Sequence, residues 1–285
     1  MSFQEYLAAL RNKASQIRIE VLEMIANAES GAVGSALSCV EILTALYYGQ
    51  GANGPIMNID PSKPGNESQD YFILSKWQAA PTWYAILADL GYFSTDELNH
   101  YKQSGALLTA NTRAKIPGVV LASGLAGQGV AAGLGLAMAL KADRARNKVF
   151  VLVGDAEMAS GAVWEAVIQA GHNKLANLVL IVDRNTIQQD SLVRNLNVLD
   201  PISEKLEAFG FKTHNVYAGH DFDQLLIAME KAVVENRLPT AIIAKTVKAK
   251  GVDFAENKSF YHDKPLSKEE LAEALKRLND KVEEL

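Results

Sequence analysis

The chain carries one cysteine, Cys39, and five histidines in 285 residues. It has no apolar run near the roughly 18 to 20 residues of a membrane span. A lone cysteine excludes an internal disulfide and points to a reducing compartment. Basic residues give no surplus either: 28 Lys and Arg stand against 33 Asp and Glu, a net charge of −5. No electrostatic footprint for nucleic acid or an anionic membrane results. Eight prolines, 20 glycines and no internal repeat exclude collagen-like chains and solenoids. The first 29 residues alternate charges with apolar residues at helical spacing, unlike a secretory leader. What is present, 48% hydrophobic and 21% charged residues, excludes disorder and coiled coil and leaves room for a sizeable core. The expectation is a cytoplasmic globular enzyme acting on a small molecule.

Leu7, Leu10, Ala14, Ile17, Val21 and Ile25 share one face of an opening helix ending near Gly31, and Ser38 is expected to cap a second. Residues 50–69 and 103–120 read as loops. Tyr71–Leu74, Lys148–Val153, Leu178–Val182, Lys212–Val216 and Ala241–Lys245 are apolar or β-branched runs, with helices expected over 79–90, 129–141, 159–173 and 222–235. Continuous apolar strands alternating with helices predict a doubly wound, mostly parallel α/β sheet flanked by helices. The tail from Ser267 reads as a solvated helix, and no linker divides the chain, so residues 1–285 read as one domain.

In such a sheet, ligands collect beyond the carboxyl ends of the strands. Gly154-Asp155 follows one strand and Asp183-Arg184-Asn185 the next, so Asp155 and Asn185 should meet at that edge. Two such oxygens suit Mg²⁺, usually completed by phosphate and water, and a helix starting near Ala159 would aim free N–H groups at a diphosphate. The alternative stays open at this point: an Asp after a strand also caps helices, and Asn is common in turns. His172 reads as structural and packed on its helix, His100, His214 and His220 as surface residues, Cys39 as core, and Trp83 and Tyr84 as core or interface.

Longer blocks narrow the choice. GDAEMASGAVWEAVIQAGHNKLANLVLIVDRNTIQQD resembles the thiamine-diphosphate motif of transketolases, and ESGAVGSALSCVEILTALYYG, DYFILSKWQAAPTWYAILADLGYF, IPGVVLASGLAGQGVAAGLGLAMAL and KTVKAKGVDFAENKSFYHDK resemble further blocks of that family in the same order. The resemblance implies the diphosphate module of the thiamine-diphosphate-binding fold. It implies Asp155, Asn185 and the Ile187 carbonyl as Mg²⁺ ligands, with Ca²⁺ able to substitute. Gly154, Ala156 and Glu157 would line the diphosphate, Gly124 and Leu125 would approach the aminopyrimidine, Glu165 would lie at a subunit contact near the cofactor, and His262 would touch the diphosphate and the reacting centre.

The departures cluster where the family binds substrate. Ala32, Gln78 and Asn111 stand in place of three histidines, Trp77 in place of a glycine, Ala156 of a glycine and Ser160 of a glutamate. An alanine cannot move a proton; Gln78 and Asn111 can donate hydrogen bonds but cannot titrate near neutral pH, and remain the catalytic candidates beside His262. Three explanations stand: a different donor such as a 2-oxoacid or unphosphorylated ketose, ketol transfer with other groups in those roles, or a non-catalytic relative. The resemblance ends where the family's diphosphate module ends. It implies the N-terminal subunit of a split transketolase that transfers a two-carbon ketol unit, needs a separate C-terminal subunit with the pyrimidine-binding module, and forms an α2β2 assembly.

Overall fold

The computed structural model describes residues 2–188, 191–192 and 199–283. Five strands form one sheet: β1 (Tyr71–Leu74), β2 (Val149–Gly154), β3 (Leu178–Arg184), β4 (Lys212–Val216) and β5 (Thr240–Lys245). Their spatial order is β1-β2-β3-β5-β4 and every pairing is parallel. The helices are α1 (Phe3–Asn27), α2 (Val33–Leu37), α3 (Val40–Tyr48), α4 (Ala80–Asp89), α5 (Gln128–Ala142), α6 (Gly161–His172), α7 (Ile202–Ala208), α8 (Phe222–Val234) and α9 (Lys268–Glu283).

Side chains alternate across a strand, and a sheet covered on both faces needs apolar residues at every position. Phe150, Leu152, Val179, Ile181 and Ile242 therefore enter the layer built by α1, α3, α4 and α8. Val151, Val153, Leu180, Val182 and Ile243 enter the opposite layer, built by α5, α6 and α7. β4 pairs on one side only and is correspondingly polar and half exposed. The apolar face foreseen for α1 is buried, and a capping box at Ser2 and Glu5 starts the helix.

Two helix starts differ from the sequence reading. Ser38 does not cap α3: that helix begins at Val40 with Cys39 before it, and the Ser38 hydroxyl bonds to Asp183 instead. The helix expected from Ala159 starts at Gly161, since a 3₁₀ turn over Asp155–Ala159 leaves β2 first. Gly129 lets α5 lie against β1, as a Cβ there would stand 2.5 Å from Ser75 Cα. The carboxyl ends of β1, β2, β3 and β5 thus open on one edge: Ser75–Gln78, Asp155, Asn185–Ile187 and Thr246–Lys248. Among the described residues no helix is long and apolar enough to cross a membrane.

Candidate active site

β2 and β3 pair in register up to Gly154 opposite Asp183, so the residues just beyond them converge. The Thr186 N–H donates to Asp155 Oδ2 at 2.6 Å and the Ala156 N–H to Oδ1 at 2.9 Å. Asn185 Oδ1 accepts from the Ile187 N–H at 3.3 Å, and Asp155 and Asn185 are each 3% exposed. Thr186 holds this turn with φ +66°. Burial, and then the neighbouring Asp183 carboxylate, push the Asp155 carboxyl up to about 6. This edge offers one carboxylate, one amide oxygen and one main-chain carbonyl. That all-oxygen set fits a hard divalent cation sharing its shell with phosphate and water.

Beneath it lies a buried charge network. Asp183, fully buried, accepts from Ser38 Oγ at 2.6 Å, from Lys76 Nζ and from Thr246 Oγ1. Lys76 Nζ also donates to the Ser35 carbonyl and to Ser38 Oγ, both at 2.8 Å. Burial alone would discharge this pair; their mutual attraction prevails, so the Lys76 pKa is raised and the Asp183 pKa lowered.

Lys248 is different. Its buried Nζ donates to the Ile187 carbonyl at 3.0 Å and sits 2.6 Å from His262 Nδ1, with no carboxylate paired to it among the described residues. Burial, then repulsion from Lys76, lower its pKa to about 8. An ammonium held under these terms beside a cation edge fits an anion with several oxygens, such as a diphosphate.

Glu157 ties the rim together. Its carboxylate accepts from the Gly154 N–H at 2.9 Å, the Gly127 N–H at 3.1 Å and Ser75 Oγ at 3.0 Å. Gly127, at φ +80°, precedes α5, and a Cβ there would meet Ser160 Oγ at 2.8 Å. The Gly154 N–H is therefore already engaged, and Glu157 organises the loop with both its oxygens. Gly124 lies against the Asn111 amide, and Leu125 is 63% exposed.

Ala32, Gln78 and Asn111, distant in sequence, line one cavity of about 440 Å³ with Trp77, Tyr101 and Lys102. The three positions that depart from a family histidine thus share one place. Glu165 is exposed on α6, away from this cavity. Three other histidines differ from expectation. His220 is not a surface residue: its Nδ1 bonds to Glu41 Oε2 at 2.8 Å and its Nε2 accepts from the Val247 N–H at 2.8 Å, which anchors the loop carrying Lys248. His214 is half buried on β4, while His172 is exposed rather than packed. Lys76, Thr246 and Lys248 escaped the sequence reading, and Asp183 entered it only as a polar strand end. The available signal was positional: each ends or follows a parallel strand at the carboxyl edge.

A parallel sheet with this edge defines a diphosphate-binding α/β module. Residues 10–283 match the family described as "Transketolase, thiamine diphosphate binding domain", and the chain belongs to that family. It is 34% identical over 261 residues to the 6-deoxy-6-sulfo-D-fructose transketolase subunit of Clostridium sp. (strain MSTE9), covering 91% of this chain and 92% of that relative. It is 35% identical over 273 residues to one of the subunits of apulose-4-phosphate transketolase from Actinobacillus succinogenes, covering 95% and 96%. Among solved structures, transketolase from Campylobacter jejuni superposes with a TM-score of 0.89 at 28% identity, covering 98% of this chain. The chain spans only 43% of that longer protein.

Proposed function

We propose that this chain is the diphosphate-binding subunit of a split transketolase, moving a two-carbon ketol unit from a ketose to an aldehyde. The observation that carries this reading is the oxygen edge of Asp155, Asn185 and Ile187 beside the buried Lys248 ammonium. Mg²⁺ would be held by Asp155, Asn185 and the Ile187 carbonyl, and Ca²⁺ could take its place. Lys248 and His262 would neutralise and orient the diphosphate, with Gly154, Ala156 and Glu157 shaping the loop around it. Bound thiamine diphosphate supplies the carbanion-stabilising chemistry. Gln78 and Asn111 would hold donor oxygens through amide hydrogen bonds, leaving His262 as the one imidazole positioned to move a proton.

The five-stranded sheet with its two helical layers makes one module, and relatives of the same length are named as subunits. We read the chain as one domain working with a separately encoded C-terminal subunit, which brings the pyrimidine-binding module, in an α2β2 assembly in the reducing cytoplasm. Its contact face would be the exposed side of α5 and α6, where Leu125, Met138 and Ile168 stand in solvent near Glu165 and Gly124. Calorimetric titration of the co-expressed pair with thiamine diphosphate and Mg²⁺ tests the reading. Saturable, metal-dependent binding that Asp155→Ala abolishes is expected; metal-independent binding, or none, overturns it.

A further inference from the structure

Resting on that reading, the wall of the donor cavity holds a partly exposed aromatic residue whose polar end has no partner among the described residues. The chain's three tryptophans are Trp77, Trp83 and Trp164. Trp83 is 1% exposed, donates to Tyr47 Oη at 2.6 Å and packs edge-on against Phe72. Trp164 donates to the Met158 carbonyl at 2.6 Å and lies against Phe209. Trp77 does neither. Among the described residues its indole N–H has no acceptor, its ring meets no other aromatic ring, and it enters neither apolar layer. It stands half exposed on a 3₁₀ turn directly after β1, in the wall of the cavity beside Gln78.

A partly exposed tryptophan leaves apolar ring surface uncovered, and an indole N–H without a partner among the described residues wants an acceptor. Its surroundings say which ligand supplies both. Gln78 and Asn111 are neutral hydrogen-bonding groups, and the one cation of the lining, Lys102, is bonded to Ser30 Oγ at 2.5 Å. Glu29 and Asp263 also line the cavity, so its charge does not invite a carboxylate. A polyhydroxylated carbon chain has weakly positive C–H faces for the electron-rich ring and hydroxyls for the amides and the indole N–H.

We propose that Trp77 is the specificity-determining wall of the donor cavity, packing its indole plane on the C–H face of the ketose chain while its N–H donates to a ketose hydroxyl. Hydroxypyruvate delivers the same two-carbon unit without a sugar chain and so makes no such contact. In the holoenzyme with its partner subunit, Trp77→Ala is expected to raise KM for a five-carbon ketose phosphate roughly tenfold or more, the loss of about 1.4 kcal/mol. The kcat should stay within about threefold, the KM for hydroxypyruvate should be unchanged, and Trp77→Phe should recover most of the ketose affinity. An unchanged ketose KM, or equal losses for both donors, overturns the proposal. Should Trp77→Ala fail to fold, wild-type holoenzyme treated with N-bromosuccinimide gives the answer by mass spectrometry. Trp77 should be oxidised in the absence of donor and protected by ketose phosphate but not by hydroxypyruvate; equal oxidation in all three samples overturns the wall. Turnover of neither donor by the wild type would refute the functional reading, while the protection experiment still judges Trp77.

Discussion

Two buried charges near the site have opposite circumstances. Glu41 accepts from Arg18 at 2.6 Å and from His220, and although burial would raise its pKa, the Arg18 charge holds it down to about 2. A carboxyl depressed from its usual 4.5 stabilises the fold above that value and loses the contribution as pH falls toward 2. Glu41→Gln is therefore expected to cost about 3 kcal/mol at pH 7, with the gap to wild type shrinking steadily below pH 4.5 in denaturant titrations. Lys248 has no carboxylate partner among the described residues, and burial depresses its pKa from 10.5 to about 8. Charging it costs the apo fold increasingly as pH drops from the higher value to the lower, and in full below. Lys248→Met should raise the apo melting temperature by about 2 °C or more at pH 7 and less at pH 10. The same substitution should weaken thiamine diphosphate binding at least roughly tenfold, the cost of losing a charge-assisted bond. Asp155 and Asn185 were legible because each follows an apolar run that only a buried strand explains. Lys248 and Thr246 were not, since Lys248 is covered by Gly34 of α2 and Thr246 lies against Gly219 and Asp183, contacts that no local pattern records.

At the scale of elements, the sheet was readable because both faces are covered and its strands spell out that fact in Val, Ile and Leu. Helix starts were less readable. Ser38 has the chemistry of a cap, yet a fully buried Asp183 145 positions away claims its hydroxyl. The energetic reason is that a buried carboxylate left short of donors costs more than an N-cap contributes. Close approaches between elements are also silent in sequence. Gly171, the penultimate residue of α6, lies so near the segment after α7 that a Cβ would stand 1.6 Å from the Phe209 carbonyl oxygen. Gly171→Ala should destabilise the chain by more than about 2 kcal/mol, measured by urea unfolding, because backbone rather than a flexible side chain must move. Gly135→Ala, on the open face of α5, serves as control and should stabilise slightly.

The whole molecule leaves apolar side chains exposed on both layers. Phe3 of α1 and Ile227 and Val234 of α8 stand out on one, and Leu125, Met138 and Ile168 on the side formed by α5 and α6, the face that adjoins Gly124 and Glu165. If that face receives the partner subunit, Met138→Glu with Ile168→Glu should abolish co-purification while leaving the circular dichroism spectrum unchanged. Sedimentation of the wild-type pair should give the mass of two chains of each kind. The need for such a face was legible only through family resemblance; composition and periodicity give no measure of how much apolar surface is left outside.

The order of the strands has a consequence for how the chain is made. β5 lies between β3 and β4, so β4 has no neighbour, and β3 keeps one open edge, until residues 240–245 have been synthesised. About sixty residues separate the end of β3 from the end of β5. At ordinary rates of translation this is roughly 3 to 12 s during which an apolar, unpaired strand edge is presented beside the ribosome. The last sheet strand to emerge also brings Thr246, which completes the shell of donors around Asp183. The nascent chain thus reaches a protected sheet and a fully hydrogen-bonded Asp183 in the same event, and a chain stopped before residue 240 has neither.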